Sequence, residues 1–137
     1  MNRLLGTVIV LETEGDISLV EVDASGVRLI SLVLESTASS AHLAAGRPVT
    51  VLFKESEVSI SLQPASPMTI RNRIPCVIRT LTEGRILSHL TLDWNGGILH
   101  ALVTTRAVRD LRLVPGLPVE ALIKATEVSL AEGHGRI

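Results

Sequence analysis

Apolar and polar positions alternate along the chain in short runs broken by turn-forming residues. Residues 4–12 are rich in strand-favouring side chains, and Glu14-Gly15-Asp16 supplies turn chemistry. Ile17, Leu19 and Glu21 then alternate with Ser18, Val20 and Val22, so the opening predicts a β-hairpin. Ala24-Ser25-Gly26 turns the chain into a third strand over residues 27–34. Residues 36–43, rich in Ser, Thr and Ala, predict one or two helical turns that Gly46 ends. Strands over residues 48–53 and 58–62 follow, separated by Lys54-Glu55-Ser56-Glu57.

The same order then repeats. Strands are expected over residues 74–81, 86–93, 98–103, 119–123 and 128–130, with Asn95-Gly96-Gly97 as a hairpin turn. A short helix is expected over residues 104–113, with Thr104 or Thr105 as its N-cap. Residues 132–136 are expected to fray. Pro75, which removes a ladder donor, should mark an edge, a bulge or the first turn of its strand.

The repetition extends to residue identities at a constant offset of seventy. Asn2-Arg3-Leu4 becomes Asn72-Arg73-Ile74, and Leu43, Gly46, Pro48 and Val49 return as Leu113, Gly116, Pro118 and Val119. Glu57-Val58-Ser59 returns as Glu127-Val128-Ser129. Unrelated residue types matching at one spacing indicate an internal duplication. The chain divides into a first unit, 1–63, a proline-bearing linker, 64–68, and a second unit, 69–137. Five short strands with one helix between the third and fourth predict an all-β protein, two OB-like five-stranded Greek-key barrels in tandem.

Composition narrows the function. Hydrophobic residues make up 46% of the chain, but Phe53 and Trp94 are the only aromatics, so the core must be aliphatic. A unit this small is marginal alone and should pack against its twin or other chains. No apolar run reaches the roughly 18–20 residues of a membrane span, and no secretory signal is evident, so a cytoplasmic protein without membrane contact is expected. Single-strand nucleic-acid binding needs stacking platforms and a basic groove; two aromatics and a net charge of −1 provide neither. Charge is divided unevenly, however. Residues 1–66 carry four bases against eight acids, a net −4, and residues 67–137 carry nine against six, a net +3. The second unit is the one suited to an anion.

No nucleophile motif, nucleotide-binding loop or metal-ligand spacing is present, so neither an enzyme nor a metal site is expected. Cys76 reads as a small buried hydrophobe. His89 and His100 could meet across the second hairpin, but two histidines without a carboxylate make a weak site. What remains is a set of donors: Thr69, Arg71, Lys124, and Thr104 or Thr105 at the helix start. Each alone is ordinarily surface or a cap. Together they suit a fully deprotonated tetrahedral dianion, which only accepts hydrogen bonds; phosphate near neutral pH carries a proton and wants an acceptor.

Both units resemble Mop domains, the modules of the molbindin family. Thr69-Ile70-Arg71-Asn72 resembles the family's Ser-Ala-Arg-Asn opening, and Ile123-Lys124-Ala125-Thr126 its later apolar-Lys-Ala-Ser/Thr stretch. The family's helix-opening threonine falls on Thr104. The sequence departs from the pattern at Ile70, in place of Ala, and Cys76, in place of Gly. The resemblance implies molybdate or tungstate as ligand and a role in intracellular storage, buffering or sensing. It also implies a regulatory or interaction module of a transporter or transcription system as the alternative. Thr69, Ile70, Arg71, Thr104, Lys124, Ala125 and Thr126 are then the expected binding residues, with Lys54 and Thr105 as weaker candidates. The first unit is expected to be degenerate. Met1 stands where the Ser-Ala-Arg lead should be, Leu34 stands in the place of Thr104, and Glu55 follows Lys54. The resemblance further implies a homo-oligomer, a trimer before a dimer, with Thr69, Arg71 and Lys124 from one subunit and Thr104 from a neighbour.

Overall fold

Two long strands, β1 (Asn2–Glu14) and β6 (Asn72–Glu83), organise the molecule, each the middle strand of a five-stranded antiparallel sheet. The structure is a computed structural model and describes residues 1–34, 43–63 and 66–134. In chain order the other strands are β2 (Ile17–Ala24), β3 (Val27–Val33), β4 (Pro48–Phe53), β5 (Ser59–Leu62), β7 (Leu87–Trp94), β8 (Gly97–Thr104), β9 (Pro118–Ile123) and β10 (Ser129–Glu132). One helix, α1 (Thr105–Asp110), follows β8, and single 3-10 turns at Glu55–Glu57 and Ala125–Glu127 precede β5 and β10. Of the helix expected over residues 36–43, residues 36–42 lie outside the described residues.

The alternation read from the sequence is the alternation of burial. Val20, Val22 and Ala24 on β2, and Leu90 and Leu92 on β7, are sealed in the aliphatic core, which continues through Leu4, Ile74, Val49 and Val119. Both long strands bulge at matching places, between Val8 and Val10 and between Ile78 and Thr80. Each bulge is clamped by the loop before the fourth strand: Gly46 N–H donates to Val8 O at 2.8 Å and Gly116 N–H to Ile78 O at 2.7 Å. The clamp needs a positive φ, 87° at Gly46 and 90° at Gly116, which only glycine adopts freely. That is why these two glycines recur seventy residues apart.

The sequence did not disclose how the strands are shared. The first sheet runs β10-β4-β1-β2-β3 and the second β5-β9-β6-β7-β8, so each unit donates its last strand to the other. Ser59–Leu62 pairs with β9, and Ser129–Glu132 with β4. The division at residues 63 and 69 is thus a division of the sequence, and each sheet draws on both units. Two asparagines reinforce the exchange. Buried Asn2 donates to His100 O at 2.9 Å and accepts from His100 N–H at 2.8 Å. Buried Asn72 does the same with Ile30, at 2.8 and 2.6 Å. Ile30 and His100 are themselves seventy apart, so the units are related by a pseudo-twofold axis. The equivalent turn residues Ser25 and Asn95 meet across it, the Asn95 amide donating to Ser25 O at 2.6 Å.

Pro75 lies within β6, a central strand, but β7 pairs with β6 only from Val77 onward, so residues 72–76 have β9 alone as a partner and the strand is locally an edge, one of the settings expected for this proline. One expectation changes. The tail is docked as far as the described residues reach. Gly133 N–H donates to Pro48 O at 3.1 Å, Thr50 Oγ1 donates to Gly133 O at 2.7 Å, and His134 Nε2 lies 2.7 Å from Gly6 O. Its anchorage is the exchanged β10, which fraying arguments based on a terminus alone overlook.

Candidate functional site

The β6–β9 ladder ends at the pair Asn72 and Ile123, so Arg71 and Lys124 leave neighbouring strands side by side, one step beyond it. Both side chains are exposed, and among the described residues neither has a carboxylate partner. Arg71 folds back to donate from Nη1 to Met68 O at 3.3 Å, which keeps its guanidinium over the segment holding exposed Thr69 and half-buried Ile70. Lys124 caps the 3-10 turn of Ala125, Thr126 and Glu127 in extended backbone (φ −66°, ψ 143°), and its carbonyl accepts from Glu127 N–H at 2.9 Å. The N–H groups that open such a turn have no partner within it. Two cations, hydroxyls and turn N–H groups therefore gather at one end of the second sheet.

Thr104 lies elsewhere. Its hydroxyl caps α1, accepting from Ala107 N–H at 3.2 Å, and it borders a cavity of about 520 Å³ with Ser56, Ile60, Leu87 and Leu113. On its other flank stand Arg85 and Arg106, exposed cations that the motif comparison did not single out, although the +3 balance of the second unit hints at them. Thr105 turns inward: it is 1% exposed, its hydroxyl donates to Gly84 O at 2.7 Å and it lies 2.7 Å from Ser88 Oγ. Thr104 is therefore the helix-start hydroxyl open to a ligand.

The strand exchange explains the separation. The turn after Lys124 packs on β3, and Thr126 lines a cavity of about 250 Å³ with Ser31, Leu34 and Leu43. The turn after Lys54 packs on β8, the strand that ends at Thr104. Within one chain Lys124 thus meets the Leu34 end and Lys54 the Thr104 end. In the first unit the position matching Arg71 is Met1, whose ammonium lies 3.6 Å from Glu55 Oε1, so this cation is already paired. Thr126, Lys54 and Met1 share a further cavity of about 380 Å³.

Cys76, in the position that matches Gly6, is buried and donates to Ile74 O at 3.1 Å. Burial pushes its thiol up to about 12, with Glu120 adding to the rise and a backbone hydrogen bond from Ala121 opposing it. At Gly6 an added Cβ would meet Val22, so the first unit keeps glycine for close packing.

Residues 1–60 and again 68–130 match the TOBE domain. The chain belongs to the TOBE-domain family, as a tandem Mop-type member. Along its whole length it is similar to a solved structure of the cytoplasmic molybdate-binding protein ModG with molybdate bound, at 30% identity and a TM-score of 0.89, covering 96% of this chain and 95% of that one. It is also 31% identical over 108 residues to the molybdenum-pterin-binding protein MopA of Rhodobacter capsulatus, and 28% identical over 113 residues to the molybdenum transport protein ModE of Azotobacter vinelandii. These stretches cover 77% and 82% of this chain but 41% and 42% of those relatives.

Proposed function

We propose that this chain binds molybdate or tungstate, in the cytoplasm, for storage, buffering or sensing and not for catalysis. The observation that carries the reading is the whole-length similarity to a molybdate-bound tandem protein, joined to Arg71 and Lys124, which have no carboxylate partner among the described residues and stand beside a donor-bearing turn. Arg71 and Lys124 neutralise the dianion. Thr69, Thr126 and backbone N–H groups near Ala125 and Ile70 orient its oxygens. Because Thr104 stands apart from this edge in its own chain, it completes the site from a neighbouring subunit, with Arg85 and Arg106 adding positive field there. A closed trimer of tandem chains supplies such junctions, and a dimer is the other assembly weighed.

A donor-only site discriminates by proton count as well as size. Molybdate and tungstate are dianions that accept at every oxygen, whereas hydrogenphosphate presents an O–H that finds no acceptor. Sulfate matches in charge but is smaller. Titration calorimetry of the four anions against the chain is expected to show tight binding of molybdate and tungstate, weak competition by sulfate and little heat from phosphate. Equal affinity for phosphate and molybdate would overturn the donor-only site.

A second reading follows from the lengths: the chain spans about two fifths of ModE and MopA, so a module of this kind also serves inside larger proteins. Capture of a transporter or DNA-binding partner only in the presence of molybdate would favour it.

A further inference from the structure

On the opposite side of the pseudo-twofold axis, three side chains that can each offer a lone pair converge. His89 on β7 and His100 on β8 project from the same sheet face, because His100 pairs with Thr91 and His89 with Leu102, two steps away. Their rings stack with centroids 5.2 Å apart and planes inclined by 24°. Glu55, opening the 3-10 turn that packs on β8, brings the carboxylate the sequence had not placed there. One ligand atom from each of Glu55, His89 and His100 lies within 4.8 Å of the others, and all three residues are half-buried. His100 Nδ1 is the one buried side-chain polar atom among the described residues with no hydrogen-bond partner. Native structures seldom leave such an atom unsatisfied without a reason.

We propose that Glu55, His89 and His100 form a site for a divalent transition ion of the zinc class. Two imidazoles and one carboxylate are the ligand set of three-coordinate protein sites for zinc that leave a fourth position to water, and calcium and magnesium prefer all-oxygen sets. Metal–ligand bonds of about 2.0–2.2 Å around a tetrahedral ion place ligand atoms about 3.3–3.6 Å apart, so the trio needs only a small side-chain contraction. The backbone of His100 is already fixed at both its N–H and its carbonyl by Asn2. Glu55 also faces the Met1 ammonium at 3.6 Å, which pairs with one carboxylate oxygen and is the competitor an ion must share it with or displace.

The site is built by the strand exchange. Its carboxylate comes from the first unit and its imidazoles from the second, so a bound ion ties the two together. It has no twin: the matching positions hold Ala125, Leu19 and Ile30, none of which can ligate. Those same residues supply test substitutions that the fold already accommodates across the axis. Calorimetry of Zn²⁺ against the full chain, with Co²⁺ absorption to report coordination, is expected to show one ion per chain and a rise in unfolding temperature with zinc. Glu55→Ala, His89→Leu and His100→Ile should each weaken zinc binding at least tenfold while unfolding normally without metal. On the unsubstituted chain, zinc should protect His89 and His100 from diethylpyrocarbonate while leaving the modification of His42 and His134 as it is without metal; this reads the site even where a variant fails to fold. Absence of zinc binding at micromolar concentration, affinity undiminished in the folded variants, or protection confined to His42 and His134 would overturn the proposal.

Discussion

Asn2 and Asn72 act as pieces of backbone, each satisfying one N–H and one carbonyl of a strand in the opposite sheet. Removing the Asn72 amide leaves both groups of Ile30 unpaired, at a cost of about 1–3 kcal/mol each. Asn72→Ala should therefore lose several kcal/mol in urea unfolding; a loss below about 1 kcal/mol would show that water replaces the amide. These residues were visible as the first match of the repeat, but only the pairing across the axis reveals their work. Cys76 makes a second test. With its thiol pushed up to about 12, it should resist iodoacetamide near the ordinary thiol value of about 8.5 and react fully once unfolded. The linkage has a definite sign. The unfolded chain releases this proton first, so the contribution of Cys76 is intact below the ordinary thiol range and is lost as pH rises towards about 12. Rapid alkylation of the folded chain would contradict its burial.

At the scale of elements, alternation and turn chemistry made the strands and α1 legible; the N-cap, left open between Thr104 and Thr105, is Thr104, and the helix is shorter than expected, Thr105–Asp110. The partners of β5 and β10 were not legible, for a physical reason. Ser59–Leu62 and Ser129–Glu132 present the same pattern of faces, so pairing within a unit or across units buries equivalent positions. The exchange governs what a fragment can do. Residues 67–137 alone leave β9 without β5, and β10 without β4. An open edge of this kind recruits another strand. The fragment should associate, with β10 of one copy on β9 of another; a folded monomer by light scattering would show that β10 closes its own sheet.

At the scale of the molecule, the resemblance implied Arg71 and Lys124 from one subunit and Thr104 from a neighbour, and the fold keeps these groups apart within one chain. Arg71 and Lys124 share an edge, whereas Thr104 lies with Arg85 and Arg106 near the turn after Lys54. A site that joins these edges requires more than one chain, so a trimer, or failing that a dimer, is expected by light scattering at micromolar concentration. A monomer would remove the shared site. The two units should also contribute unequally, since the first offers a cation already facing Glu55 and the second offers cations with no carboxylate partner among the described residues. Charge-assisted hydrogen bonds contribute roughly 1.5–3 kcal/mol each.

The most direct test is calorimetric titration of molybdate into the intact oligomer of wild type, Lys124→Ala and Lys54→Ala. The expected result is a loss of about 10- to 100-fold for Lys124→Ala and almost none for Lys54→Ala. Normal binding by Lys124→Ala, or an equal loss in both variants, would contradict the site described here.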